Sequence, residues 1–317
     1  LTHSGTGALE MIALMLNLTP EDEIILPSFT FVSTANAFAR QGAKLVFVDI
    51  EKDTLGVDPF LVEKAITPKT KAIICMHYAG HSCQIEELKK ISQKHNLILI
   101  EDAALCYGKN HLGTQGDFGM ISFDVTKHIS STQGGLLIIN NSDYVARAKK
   151  IYHIGTNREE FMEGNVPYYE WVDIGSKFQM AETNAAVLSA QLKEEETILS
   201  KLKTISQWYH EQLNDYSTVK KIEESKIASN FHEYYVICSD KNERDNLSKH
   251  LKSNGIESLF HYIPLHNAKF CKDRYSYVGN NNTQEIADQL LRLPFHTHLS
   301  HDDIKYICTS IKSFFNG

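Results

Sequence analysis

No stretch of this 317-residue chain approaches the ~18 consecutive apolar residues of a membrane-crossing helix, so a membrane partner is not expected. The six cysteines, at positions 75, 83, 106, 238, 271 and 308, are scattered without a CxxC pair. That argues against a disulfide framework and reads as reduced thiols in a cytoplasmic protein. Basic clusters are also missing: 32 Lys and Arg against 39 Asp and Glu leave a formal charge of −7, and no nucleic-acid partner is expected. No GxGxxG follows a strand-like run, which disfavours a dinucleotide site. Fifteen histidines are present, but neither HYAGH (77–81) nor HTHLSH (296–301) gathers the cysteines or acids of a tetrahedral site, and no metal is expected. There is no internal repeat.

What the chain has is alternation. Apolar runs at 23–28 (EIILPS), 43–50 (AKLVFVDI), 71–78 (KAIICMHY), 96–103 (NLILIEDA), 120–124 (MISFD) and 134–140 (GGLLIIN) are separated by helix-length amphipathic segments. Continuous apolar strands between helices predict an α/β fold whose mostly parallel sheet is covered on both faces. From Met180 to about Gln212 the absence of Pro and Gly predicts one or two long helices. A polar segment follows, then a strand-like HEYYVICS (232–239), a helix around 243–253, the apolar run IESLFHYIPLH (256–266), and NNNT near 281–283, which reads as a loop. The length suits two domains. The predicted division is a large domain over 1–195, preceded by an N-terminal segment outside this sequence, and a smaller α+β domain over 196–317.

Two residues at the ends of successive buried segments carry the chemistry: Asp102 after LILIE and Lys127 after MISFDVT. Open α/β sheets bind ligands beyond the carboxyl ends of their strands, where Asp102 falls. A lysine can form an imine with an aldehyde, and a buried carboxylate can keep a heterocyclic nitrogen protonated so that the ring withdraws electrons. Together they suit pyridoxal 5′-phosphate (PLP). Ser4-Gly5-Thr6-Gly7 directly precedes a helical run, so free N–H groups and the helix dipole suit a phosphate, although Ser4 or Thr6 as an ordinary N-cap explains the same residues. Ser122 can add a hydroxyl to that phosphate, and Phe31 can stack on a flat ring.

SGTGALEM, LPSFTFVSTANAF, GAKLVFVDI, HYAG, IEDAA, LGTQGDFGMISFDVTKHIS and the GG that follows closely resemble the DegT/DnrJ/StrS family of PLP-dependent sugar aminotransferases. IGTNREEFMEGNVPYYEWVDIGSKFQMAETNAAVLSAQL and LFHYIPLH are similar to one branch, the dTDP-4-dehydro-6-deoxyhexose 4-aminotransferases, whose product is dTDP-4-amino-4,6-dideoxygalactose for surface polysaccharides.

The resemblance implies an aspartate-aminotransferase-like fold, with catalytic Lys127 on the cofactor aldehyde and Asp102 on its pyridine nitrogen. Gly5, Thr6, Gly7 and Ser122 would hold the phosphate, and Phe31 would stack on the ring. It also implies L-glutamate as amino donor, a nucleotide-linked keto-sugar as acceptor, and a homodimer with shared active sites. Arg158 and His266 are candidates for gripping substrate. Leu105, Gln133 and Gln179 depart from residues common among relatives. The alternatives are a PLP-dependent nucleotide-sugar dehydratase, whose members carry His in place of the lysine, and a non-catalytic regulatory or binding protein.

Overall fold

The computed structural model describes residues 1–108, 110–214 and 229–316. The sheet is built from β1 (Glu23–Pro27), β2 (Lys44–Val48), β3 (Thr70–Met76), β4 (Ile98–Asp102), β5 (Phe118–Ser122), β6 (Gly135–Ile139) and β8 (Ser276–Val278). Each of the first six overlaps one of the apolar runs, β3 starting one residue and β5 two residues before its run. Their spatial order is β6-β5-β4-β3-β1-β2-β8, with every pairing parallel except β5 with β6. The protein is therefore α/β with a mostly parallel sheet.

Alternation along each strand explains the continuous apolar runs. Ile24, Leu26, Leu45, Phe47, Ala72, Ile74 and Ile100 enter one core, together with α1 (Gly5–Met15) and α2 (Val32–Ala39). Their neighbours Ile25, Val46, Val48, Ile73, Cys75 and Leu99 enter a second, against α3 (Pro59–Ala65) and α4 (Ile85–His95). Both faces are thus dry, and each buried Val, Leu or Ile contributes about 1.5–3 kcal/mol.

The expected long helices are α7 (Glu182–Lys193) and α8 (Glu195–Leu213). Most of the polar segment after them lies outside the described residues. Beyond it, β7 (Tyr235–Ile237) pairs antiparallel with β9 (Leu290–Arg292), and α8, α9 (Lys241–Ser253) and α11 (His301–Asn316) close a separate apolar core over this two-stranded sheet. Between these elements the chain returns to the large sheet, where β8 pairs with β2.

One reading is corrected. NNNT is not simply a loop, because α10 (Asn282–Gln289) begins at Asn282. Asp49, beyond β2, accepts from the N–H groups of Asn280, Asn282 and Thr283 and from the Thr283 hydroxyl, capping this helix from a distant part of the sequence. No helix of the described residues is long and apolar enough to cross a membrane.

Candidate active site

The carboxyl ends of β4 and β5 and the N-termini of α1 and α2 converge on a cavity of about 580 Å³. Asp102 closes β4, where its side chain is buried. Its Oδ2 accepts from Thr34 Oγ1 at 2.5 Å and its Oδ1 from the Ala104 N–H at 3.1 Å. Burial raises the affinity of this carboxyl for a proton, against the opposing pull of Thr34, the Ala104 N–H, Lys127 and His77.

Lys127 stands on the loop between β5 and β6. Asp124 shapes the turn, accepting from the Lys127 N–H through its carbonyl at 2.9 Å and from Thr126 N–H and Oγ1 through its carboxylate. Phe123 pins the loop base, donating to Gly134 O and accepting from Ser131 N. Burial lowers the Lys127 pKa, favouring the neutral amine, while Glu233, Asp102 and Asp124 pull the other way.

At the far wall, Ser4 caps α1 by accepting from Gly7 N–H at 2.9 Å. The N–H groups of Gly5 and Thr6 have no partner among the described residues and face the same cavity as Ser122. Gly5 must be glycine for this approach, since a Cβ there would lie 2.8 Å from Met120 Sδ and 3.1 Å from Ser122 Cβ. Unspent donors at a helix N-terminus, with the Ser122 hydroxyl beside them, fit a phosphate dianion.

Of the predicted site residues, the cavity brings together Gly5, Thr6, Phe31, Asp102, Ser122 and Lys127. Gly7 is buried behind them, with His3 where its Cβ would be. Phe31 is 57 % exposed, leaving a face free for a ring. Arg158 and His266 do not line the cavity. Arg158 is exposed at the start of α6 (Arg158–Met162), and His266 is drawn away by Ser28, at 2.6 Å, and by stacking on Tyr277.

Among the cavity residues that escaped the sequence reading are Thr34, Glu233, His261 and Arg292. Arg292 donates to Glu233 Oε1 at 2.8 Å and to His261 Nε2 at 2.7 Å. The available signal was charge inside apolar runs, as in HEYYV and LLRLP. Nearby, the donor atoms of Cys75, His77 and Cys83 lie within 4.8 Å of one another, but both His77 nitrogens are engaged, by Glu101 and by the Cys83 N–H.

The fold places a lysine, a buried carboxylate and the open N-terminus of a helix around one cavity, a set of groups that fits a phosphorylated aromatic aldehyde. The model of the DegT/DnrJ/EryC1/StrS aminotransferase family matches residues 1–312, and the chain belongs to that family. Among curated proteins, an uncharacterised protein of Methanocaldococcus jannaschii is 31% identical, covering 98% of this chain and 84% of its own length. Among solved structures, a DegT DnrJ EryC1 StrS aminotransferase from Brucella abortus is 28% identical with a TM-score of 0.88, covering 100% of this chain and 85% of its own. The aminotransferase TlmJ from Streptoalloteichus hindustanus is 25% identical with a TM-score of 0.89, over 99% and 85%. Spr1654 from Streptococcus pneumoniae in its PMP form is 25% identical with a TM-score of 0.90, over 99% and 87%, and is also solved with PLP. The protein is a PLP-dependent sugar aminotransferase.

Proposed function

We propose that the enzyme moves an amino group from L-glutamate to the C4 keto carbon of a nucleotide-linked 4-keto-6-deoxyhexose, giving dTDP-4-amino-4,6-dideoxygalactose or a close relative. The observation that carries the chemistry is that Lys127 and Asp102 share one cavity with the open N-terminus of α1. The branch resemblance of residues 154–192 and 259–266 supports the choice of sugar.

When bound, pyridoxal phosphate supplies an aldehyde carbon and an electron-withdrawing ring. Gly5, Thr6 and Ser122 would hold its phosphate, Asp102 its ring nitrogen, Phe31 one ring face and Lys127 its aldehyde. Asp102, made more basic by burial, is suited to share the ring nitrogen's proton. With the cofactor bound, Lys127 Nζ would take the proton from the donor's α-carbon, for which its lowered pKa suits it, and return it to the former aldehyde carbon; the amino group would stay with the cofactor and water would supply the oxygen of the released 2-oxo acid. In the second half Lys127 would move these protons in the reverse sense, the keto oxygen of the sugar leaving as water.

We infer that the working form is a homodimer. Phe161, Met162, Tyr168, Tyr169, Trp171 and Ile174 are exposed within one short segment, a concentration of apolar surface that marks an interface. Arg158 and His266 keep no assigned role. The dehydratase alternative is disfavoured by placement: Lys127 faces the cavity, whereas His128 is held by Tyr107 O at 2.7 Å and by His232 at 2.8 Å.

The test is to incubate the PLP-loaded enzyme with L-glutamate and a panel of nucleotide keto-sugars and to identify products by mass spectrometry and NMR. A C4-amino sugar is expected. Amination at another carbon, or a deoxygenated sugar, would overturn the assignment. Sedimentation at micromolar concentration should show twice the chain mass.

A further inference from the structure

We propose that His128 and His232 are positioning residues for Lys127, a neutral imidazole pair that fastens its loop through one shared proton, an inference that rests on the aminotransferase reading and names what fixes its reacting amine.

Lys127 stands on an irregular loop over 123–134, and the side chain that follows it does the fastening on the side away from the Asp124 turn. His128 Nε2 lies 2.7 Å from Tyr107 O, in the segment that follows β4 and Asp102, and His128 Nδ1 lies 2.8 Å from His232 Nδ1. His232 is buried and directly precedes Glu233, and both line the cavity. Its own segment is stitched to the loops that leave β3 and β4. Asn230 donates through its N–H to Gly80 O at 3.0 Å and through Nδ2 to Cys106 O, while His232 N–H donates to Ala79 O at 3.3 Å. Gly80 permits the close approach: its φ is +83°, and a Cβ there would lie 3.2 Å from His232 Cβ.

These contacts decide where the protons are. A carbonyl oxygen only accepts, so His128 carries its proton on Nε2. Its Nδ1 is then a lone pair, and His232 must donate to it from Nδ1, because two lone pairs at 2.8 Å would repel. The His232 proton is therefore on Nδ1, and its Nε2 keeps a lone pair, 3.8 Å from Glu233 Oε1. Burial holds the His128 imidazole down to about 4 and that of His232 well below its ordinary value, so the pair stays neutral. The result is one row of hydrogen bonds through the neighbours of three cavity residues: Tyr107 beyond Asp102, His128 beside Lys127 and His232 beside Glu233. Its loss frees the Lys127 loop on one side. A displacement of about 1 Å at a reacting group can cost about a hundredfold in rate.

Two measurements test the pair. Histidine-selective ¹⁵N NMR of the PLP-loaded enzyme without substrate reads the tautomers, each signal assigned by its loss in His128→Asn or His232→Asn. At neutral pH, His232 should be protonated on Nδ1 and His128 on Nε2. In turnover, His232→Leu, which cannot donate, should lower the rate at saturating L-glutamate and keto-sugar at least tenfold, with both half-saturating concentrations within threefold of wild type. His232→Asn, whose amide can donate from the place of Nδ1, should restore at least a third of the wild-type rate. Thermal melting confirms that each variant is folded. Equal rates in the two variants, or a rate within twofold of wild type in His232→Leu, overturns the proposal. So does His232 protonated on Nε2, or a doubly protonated ring at neutral pH, and this result stands even where His232→Leu does not fold. A wild type that aminates no keto-sugar defeats the aminotransferase reading, whereas the tautomers test the pair independently.

Discussion

Thr34 Oγ1 donates to Asp102 Oδ2 across 2.5 Å, joining the first turn of α2 to the end of β4. Thr30 backs it, its hydroxyl lying 2.9 Å from that of Thr34. The carboxylate needs such help, because burial alone drives it toward protonation. Thr34→Val removes a hydrogen bond to a charged group, worth about 1.5–3 kcal/mol. The dissociation constant for PLP, titrated by absorbance, should rise at least tenfold while the melting curve shows a folded protein. An unchanged constant would show that Thr34 does not support the ring-nitrogen contact.

Gly5→Ala tests the phosphate wall. The added methyl would lie 2.8 Å from Met120 Sδ and 3.1 Å from Ser122 Cβ, so the Met120 side chain or α1 must shift. Overpacking of this kind costs about 1–3 kcal/mol. PLP affinity should fall more than stability does, and an unaltered affinity would put the phosphate elsewhere.

Glu101 is the buried neighbour of Asp102 and has a different task. It accepts from His77 Nε2 at 2.8 Å and from the N–H groups of Gly113, Gln115 and Gly116, fixing the loop that leads into β5. Burial works to raise its pKa, but His77 and these N–H groups hold it low. Removing one member of a buried pair costs about 3–5 kcal/mol. Glu101→Ala should lower the urea midpoint accordingly, and a loss under 1 kcal/mol would contradict the clamp.

Stability should fall in mild acid. Burial holds the imidazoles of His81 and His128 down to about 4, so both are neutral in the fold. Unfolding returns them to about 6.5 and takes up protons below that value. Their contribution is full above pH 6.5 and is lost progressively down to pH 4, on the order of 3 kcal/mol for each imidazole. The urea midpoint should drop between pH 7 and pH 4, less steeply in His128→Gln. A flat profile in the wild type would be the contrary result.

How much was legible in the sequence follows from what each residue depends on. Six of the large-sheet strands were readable because burial on both faces makes most of their positions apolar. Asp102 and Lys127 were readable because a charge at the end of such a run must have a partner or a purpose. β8 was not: SYV is three residues long, and its place beside β2 comes from tertiary pairing. The start of α10 depends on Asp49, more than two hundred residues away in the chain. FHYIPLH offers two histidines, and nothing local reveals that His261 enters the cavity while Ser28 and Tyr277 hold His266 outside it. Glu233 and Arg292 meet only because β7 and β9 pair.

The central claim is a covalent one and is tested most directly on the purified protein loaded with PLP. Visible absorbance should vanish on borohydride treatment, and peptide mass spectrometry should find the reduced pyridoxyl group on Lys127, with neither colour nor adduct in Lys127→Ala. An adduct on another lysine, or undiminished turnover in Lys127→Ala, would contradict the account.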